Sequence, residues 1–241
     1  MNNAPSITLK GSYRIGQKQL FDTVTLTVAA RQWTCLLGRS GVGKSTILRL
    51  ITGLETAGQF EGTIDANDAK PIEGRTSYMA QSDLLLAWLN LRENVVLGAR
   101  LRGEKPDLDR ADAMIARVGL TDHHTKKPNE LSGGMRQRAA LARTLMEDCP
   151  IVMLDEPFSA LDAGTRADMQ DLAADVLVGK TVLLVTHDPA EACRLGHHIT
   201  LLTPTGAEIW DVPDTKPVRQ ADDPKTLNAQ AALLSYLRAV P

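Results

Sequence analysis

Short apolar runs and alternating stretches mark both ends of this chain, and its middle turns helical in period. Ile7-Thr8-Leu9 and the alternating Val24-Thr25-Leu26-Thr27-Val28 predict strands of an antiparallel sheet with one wet face. Trp33-Thr34-Cys35-Leu36-Leu37 predicts a short buried strand. Ile47-Leu48-Arg49-Leu50-Ile51 predicts a helix, and Gly53 is placed to end it. Gly62-Thr63-Ile64 and Thr76-Ser77-Tyr78-Met79 are the next strands. From about Ser82 to Glu147 the strand signal fades. Asn90 and Glu93 have the spacing of a capping box, and Ala111, Met114, Ile115 and Val118 recur at helical spacing.

Strand signals resume at Ile151-Val152-Met153-Leu154 and at Thr181-Val182-Leu183-Leu184-Val185, runs suited to buried parallel strands. Helices are expected from Met135 to Glu147 and from about Thr165 to Val178. Asp188 with Glu191 predicts a second capping box, opening a helix to about Leu195. Ile199 to Leu202 and Ala207 to Trp210 read as closing strands. After Pro213 the polar, Pro-rich sequence predicts a loose connection, and Leu227 to Val240 a final amphipathic helix. The pattern is that of an α/β protein with a doubly wound sheet. It places one domain over residues 1–212, with a helical insertion at about 82–147, and a linker and helix over 213–241.

Composition narrows the class without naming a function. The 241 residues are 43% hydrophobic and 23% charged, enough for a sizeable core. A net charge of −2 gives no basic excess of the kind nucleic acid would require. Cys35, Cys149 and Cys193 are too scattered for a disulfide framework or a metal knuckle, so a reducing compartment is expected and each reads as a small apolar residue. Met1 to Pro5 lacks the features of a signal peptide, and no apolar run approaches the roughly 20 residues of a membrane-spanning helix. A role at a membrane would need an embedded partner.

The chemistry begins at Gly38-Arg39-Ser40-Gly41-Val42-Gly43-Lys44-Ser45-Thr46, which has the spacing G-x-x-x-x-G-K-[ST]. Gly38, Gly41 and Gly43 permit the positive φ angles that turn N–H groups inward around an anion, and the following helix adds the positive end of its dipole. Lys44 supplies a point charge for phosphate oxygens, and Ser45 a hydroxyl for Mg²⁺. The strand 151–154 ends in Asp155-Glu156: one carboxylate suits a metal-bound water and the other can polarise an attacking water. Ser132-Gly133-Gly134 opens a helix, a second N-terminus with bare N–H groups suited to an anion.

These elements resemble the ATP-binding cassette (ABC) ATPases. Leu131-Ser132-Gly133-Gly134-Met135-Arg136-Gln137-Arg138 is similar to their LSGGQ signature, with Met135 where Gln is commonest. Tyr13 resembles the aromatic residue that stacks on adenine, and Phe21 competes for that role. Gln81 resembles the Q-loop glutamine, Ser159-Ala160-Leu161-Asp162 the D-loop, and His187 the switch histidine. Where the family usually has Gly-Glu before the strand leading to the P-loop, this chain has Arg31-Gln32. The resemblance runs from about Ile7 to Leu202. It implies a P-loop NTPase fold with a RecA-like core, an antiparallel β-subdomain and an inserted helical subdomain. It also implies a head-to-tail dimer holding ATP between the P-loop of one copy and Ser132-Gly133-Gly134 of the other. In that arrangement Glu156 is the general base, His187 contacts the γ-phosphate, Asp155, Ser45 and Gln81 serve Mg²⁺, and Asp162 communicates across the interface.

The chain lacks the coiled coils, second cassette or membrane helices of several branches of that family, leaving a stand-alone transporter subunit. The segment from Gln81 to Val95 resembles importer ATPases of the nitrate, taurine/alkanesulfonate and pyrimidine (thiamine-precursor) type, with Ala87-Trp88 where those commonly read Pro-Trp. That implies a peripheral protein on the cytoplasmic face of the inner membrane. Its partners would be an integral permease and, indirectly, a periplasmic solute-binding protein. The same motifs also accommodate an exporter or lipid-extraction ATPase, or a soluble regulatory ABC ATPase. His123-His124 and His197-His198 have no ligand-spaced Cys or acid cluster and read as surface or loop residues, and Trp33 and Trp210 as packing residues.

Overall fold

The computed structural model describes residues 4–239. Part of the Met1–Pro5 stretch and Val240 therefore lie outside the described residues. The chain divides into two compact units: one takes the chain up to Thr76, Pro150–Asp155 and everything from Gly179, and the other takes Ser77–Cys149 and Glu156–Val178.

The first unit holds two sheets. β1 (Ile7–Ile15), β2 (Lys18–Val28) and β4 (Gln59–Ala66) form an antiparallel sheet in the order β2-β1-β4, the predicted sheet with one wet face. Along β2 the buried positions are Phe21, Val24, Leu26 and Val28. The period of two breaks before Val24, where the β1–β2 register shifts near Gly11 and Tyr13. The second sheet orders its strands β6 (Ile151–Asp155), β7 (Thr181–Val185), β3 (Trp33–Leu37), β8 (His198–Thr203) and β9 (Gly206–Trp210). β6, β7, β3 and β8 run parallel, and β9 returns antiparallel along the edge of β8. Every residue of β3, β6 and β7 is buried, which is why these strands read as continuous apolar runs.

Arg31 shows how the turn before β3 closes without the family's usual glycine. It adopts φ 58°, and its N–H donates to the Thr181 hydroxyl at 3.0 Å. The helices of this unit are α1 (Lys44–Ile51), α7 (Pro189–Leu195) and α8 (Pro224–Ala239). Asp188 caps α7 as predicted, but the second half of the expected capping box is absent. Glu191 turns instead to accept the Thr186 hydroxyl at 2.7 Å. The connection after Pro213 is also not loose. Arg219 is buried within it and donates to the carbonyls of Cys193, Gly196, Pro213 and Thr215, tying the linker to the end of α7.

The second unit takes β5 (Thr76–Met79) from Ser77 onward and is otherwise mainly helical: α2 (Leu91–Val95), α3 (Leu97–Leu101), α4 (Leu108–Arg117), α5 (Gly133–Met146) and α6 (Ala163–Val176). Asn90 and Glu93 form the predicted capping box on α2. Ala111, Met114 and Ile115 bury the apolar stripe of α4. No helix among the described residues is long and apolar enough to cross a membrane.

Candidate functional site

In the first unit the candidate residues gather at the carboxyl ends of the parallel strands, where open α/β sheets place their ligands. β7 lies between β3 and β6, with Val185 paired to both Leu36 and Asp155. The loop after β3, the carboxylate that ends β6 and the Thr186-His187 turn after β7 therefore share one edge of the sheet. Gly38, Gly41 and Gly43 all have positive φ, as the phosphate-loop reading requires. Two of them are also fixed by close approach: a Cβ on Gly38 would sit 2.5 Å from the Leu202 carbonyl oxygen, and one on Gly43 would sit 2.9 Å from the Phe21 ring.

Gly43 caps α1 in a left-handed conformation with no side-chain cap, so the first N–H groups of α1 carry no side-chain partner from that residue. The Lys44 ammonium is folded back over the loop, donating to the carbonyls of Gly38 at 2.8 Å and Arg39 at 3.0 Å. Arg39, Ser40 and Ser45 are exposed, Thr46 is half-buried and Val42 packs inward. Asp155 is buried at 2% exposure and His187 is exposed.

Tyr13 is enclosed rather than presented to a ligand. It is 1% exposed, its ring stacks on Phe21 with centroids 5.8 Å apart, and its hydroxyl accepts the Gly58 N–H at 2.6 Å. Phe21 is fully buried as well. Both aromatic candidates are consumed by the core of the antiparallel sheet: Tyr13 keeps the period of two set by Ile7 and Leu9 along β1, and the register shift in β1–β2 brings Phe21 to the same buried side.

In the second unit the remaining candidates surround Glu156. Its backbone is left-handed, at φ 49°, an uncommon state for a residue with a Cβ. Its carbonyl accepts from the Gln137 amide at 3.3 Å and from the Ser159 hydroxyl at 3.0 Å. Gln137 also donates to the Pro157 carbonyl at 3.0 Å. The Gln81 amide donates to the Glu156 carboxylate at 3.3 Å. Gln137 is buried on α5, and its role was invisible in the sequence, where it is one polar residue in a helical run.

Ser132 caps α5, its hydroxyl accepting the Met135 N–H at 3.3 Å, so Gly133 and Gly134 form the first turn. Met135 in place of Gln leaves this cap intact. Asp162 caps α6 in the same way through Thr165 N–H at 3.1 Å, and hydrogen bonds from Thr165 hold its carboxyl below the usual carboxylate range.

The remaining predicted residues take structural places. Burial pushes the thiols of Cys35 and Cys193 up, the latter to about 11, so both are inert packing groups, and Cys149 is half-buried. His197 lies in the connection between α7 and β8 and His198 is exposed at the start of β8, as surface or loop residues would be, but both are tied down: the ring of His197 accepts the Trp33 N–H at 3.2 Å, and His198 bonds Gln32 at 2.7 Å. Trp33 is buried as expected, and Trp210 packs on the ring of Tyr236 with centroids 4.8 Å apart.

Residues 21–159 match the family described as ABC transporter. An uncharacterized ABC transporter ATP-binding protein of Haemophilus influenzae is 46% identical over 185 residues, covering 76% of this chain and 75% of that protein. The aliphatic sulfonates import ATP-binding protein SsuB 2 of Agrobacterium fabrum is 44% identical over 74% of this chain and 68% of its own length. The thiamine import ATP-binding protein ThiQ of Mesorhizobium japonicum is 42% identical over 80% of this chain and 78% of its own length. Among solved structures, a dimeric post-hydrolysis state of the ATP-binding cassette MJ0796 bound to ADP and Pi superposes with a TM-score of 0.73 at 28% identity, covering 89% of this chain and 99% of that one.

Proposed function

We propose that this chain, which belongs to the ABC transporter family and is an ATPase, powers a bacterial importer of a small solute. The observation that carries the chemistry is the shared edge of the parallel sheet, where the phosphate loop, Asp155 and the turn bearing His187 lie on adjacent strands. The inward N–H groups of Gly38 to Thr46 and the Lys44 ammonium would take the β- and γ-phosphates of ATP. Mg²⁺ fits the oxygen donors of the first unit, the exposed hydroxyl of Ser45 and the carboxylate of Asp155, and Gln81 would serve as a further oxygen ligand. When bound, the ion would neutralise charge on the transferring phosphoryl group.

Glu156 would accept a proton from water as the water oxygen bonds to the γ-phosphorus. The bond from that phosphorus to the β–γ bridging oxygen breaks, leaving ADP and inorganic phosphate. His187 would contact the γ-phosphate, and Gln81 would hold Glu156 between turnovers. Two copies would pack head to tail, each offering Ser132-Gly133-Gly134 to the nucleotide on the other's phosphate loop and Asp162 to the interface. The second anion-ready helix start then completes a site in the partner copy.

The import reading draws on the sulfonate and thiamine importer names of the relatives, and it implies a solute of the nitrate, sulfonate or thiamine-precursor class. The chain would sit on the cytoplasmic face of the inner membrane against a permease, with a periplasmic solute-binding protein on the far side. Leu84 and Trp88 suit that docking, being 60% and 70% exposed.

Glu156→Gln tests the site. The variant should bind ATP, dimerise and hardly turn it over, whereas wild-type turnover would remove Glu156 as the base. Lys44→Ala should weaken ATP binding, and unchanged affinity would refute the phosphate loop. Capture from membranes should bring down a permease; ribosomal or DNA partners would refute transport.

A further inference from the structure

The nucleotide base needs an aromatic or apolar platform, and neither ring that the sequence offers for it is available. Tyr13 and Phe21 are stacked on each other inside the first unit. An open pocket of ≈ 370 Å³ does lie against the phosphate loop, on the side of Gly38 to Val42. Its walls are Leu20 from β2, Leu201 and Leu202 from β8, the β8–β9 turn at Pro204, and Tyr236 and Leu237 from α8. Tyr236 is the aromatic residue among its described lining residues.

The Tyr236 ring is held in place. It packs on Trp210, and its hydroxyl donates to Glu208, both on β9. Leu233, one turn earlier, is fully buried, so α8 is anchored where it delivers the ring. The pocket has the size of a small-ligand site, mostly apolar walls and a polar end formed by the phosphate loop itself. A molecule that is flat and apolar at one end and polyanionic at the other matches that arrangement.

We infer that Tyr236, carried in by the C-terminal helix, is the aromatic wall against which the base of the nucleotide packs. The inference rests on the phosphate-loop reading above and adds to it a role for the last helix, which becomes part of the nucleotide site. Linker and helix then do more than close the domain. Arg219 fixes the linker, the linker fixes α8, and α8 fixes the ring, so the grip on the base depends on a segment outside the motifs.

Titration of the full-length chain with Mg-ATP and with inorganic tripolyphosphate separates base from phosphate binding. Tyr236→Ala should raise the Kd for ATP about three- to tenfold, the range expected for loss of an aromatic stacking contact. It should leave tripolyphosphate unchanged, and Tyr236→Phe should restore ATP affinity. Unchanged ATP affinity in Tyr236→Ala, or equal losses for the two ligands, would overturn the inference. Lys44→Ala should weaken both ligands, and if it weakens neither, the phosphate-loop reading fails rather than this one. Should Tyr236→Ala not fold, the unmodified chain still decides. ATP, but not tripolyphosphate, should shift the tryptophan emission, and Trp210→Phe should abolish the shift. An equal response to both ligands would count against Tyr236.

Discussion

The Gln81 amide lies 3.3 Å from the Glu156 carboxylate, while Gln137 reaches the carbonyls of Glu156 and Pro157 from α5. One glutamine holds the side chain and the other holds the backbone of the same residue. The backbone hold matters because Glu156 sits at φ 49°, a conformation that costs roughly 1–3 kcal/mol and persists only when its surroundings impose it.

Gln137→Met keeps the volume and removes both hydrogen bonds. Glu156 should then relax from its left-handed conformation and carry its carboxylate away from the water it is proposed to activate. ATP affinity should stay at the wild-type value, because the phosphate loop is untouched, and kcat should fall by about 10- to 100-fold. Steady-state hydrolysis together with nucleotide titration reads both numbers. A normal kcat would show that Glu156 needs no such support.

Arg219 makes a second prediction about a residue outside the motifs. The residue is 4% exposed, and its guanidinium donates to four backbone carbonyls. Burial holds its pKa below the usual arginine range, so the carbonyls carry the charge at a desolvation cost. Arg219→Ala leaves those carbonyls without their donor. The variant should lose about 2–4 kcal/mol of stability. Limited proteolysis should cut first between Pro213 and Pro224, a segment that the intact chain protects.

What the sequence made legible was local. β3, the phosphate loop and α1 follow from an apolar run, glycine spacing and a lysine within about twenty residues, and the Asn90–Glu93 box needs only four. The structure departs from the sequence pattern where packing, rather than spacing, chooses a side chain's partner. Glu191 has the spacing of a capping residue, but the Thr186 hydroxyl is the better-placed donor once β7 and α7 are packed. Tyr13 sits at a plausible place for a stacking residue, yet Gly58, 45 positions on, takes its hydroxyl. The Pro-rich stretch after Pro213 looks unstructured because nothing in it shows that Arg219 will find the carbonyls at the end of α7.

Asn94 shapes the exposed apolar loop that precedes it. It is fully buried, its side-chain oxygen accepts the Leu86 N–H at 2.7 Å, and its amide donates to the carbonyls of Leu86, Leu89 and Asn90. These bonds fold residues 86–90 into a turn that leaves Trp88 70% exposed. Asn94→Ala should cost about 2–3 kcal/mol in urea unfolding, since the turn's carbonyls and the Leu86 N–H lose their partner. Trp88→Ala should leave stability within about 0.5 kcal/mol, as for other surface changes, and reduce recovery of the protein with permease-containing membranes. Equal membrane recovery for wild type and Trp88→Ala would remove that side chain from the docking surface.

His197 predicts how stability depends on pH. Its ring accepts the Trp33 N–H at the head of β3, a bond only the neutral imidazole can make through that nitrogen. Burial, followed by the nearby charges of His198 and Arg219, lowers its pKa from 6.5. Well above pH 6.5 the ring is neutral in both folded and unfolded chains and adds no pH dependence. As pH falls below that value the unfolded chain takes up the proton first, so stability drops until the folded pKa is passed and then levels off. His197→Gln, which can still offer an acceptor, should flatten that part of the profile. Urea midpoints taken at roughly one-unit steps from pH 8 to 5 will show whether the slope belongs to this ring. A variant that keeps the full wild-type slope would assign it elsewhere.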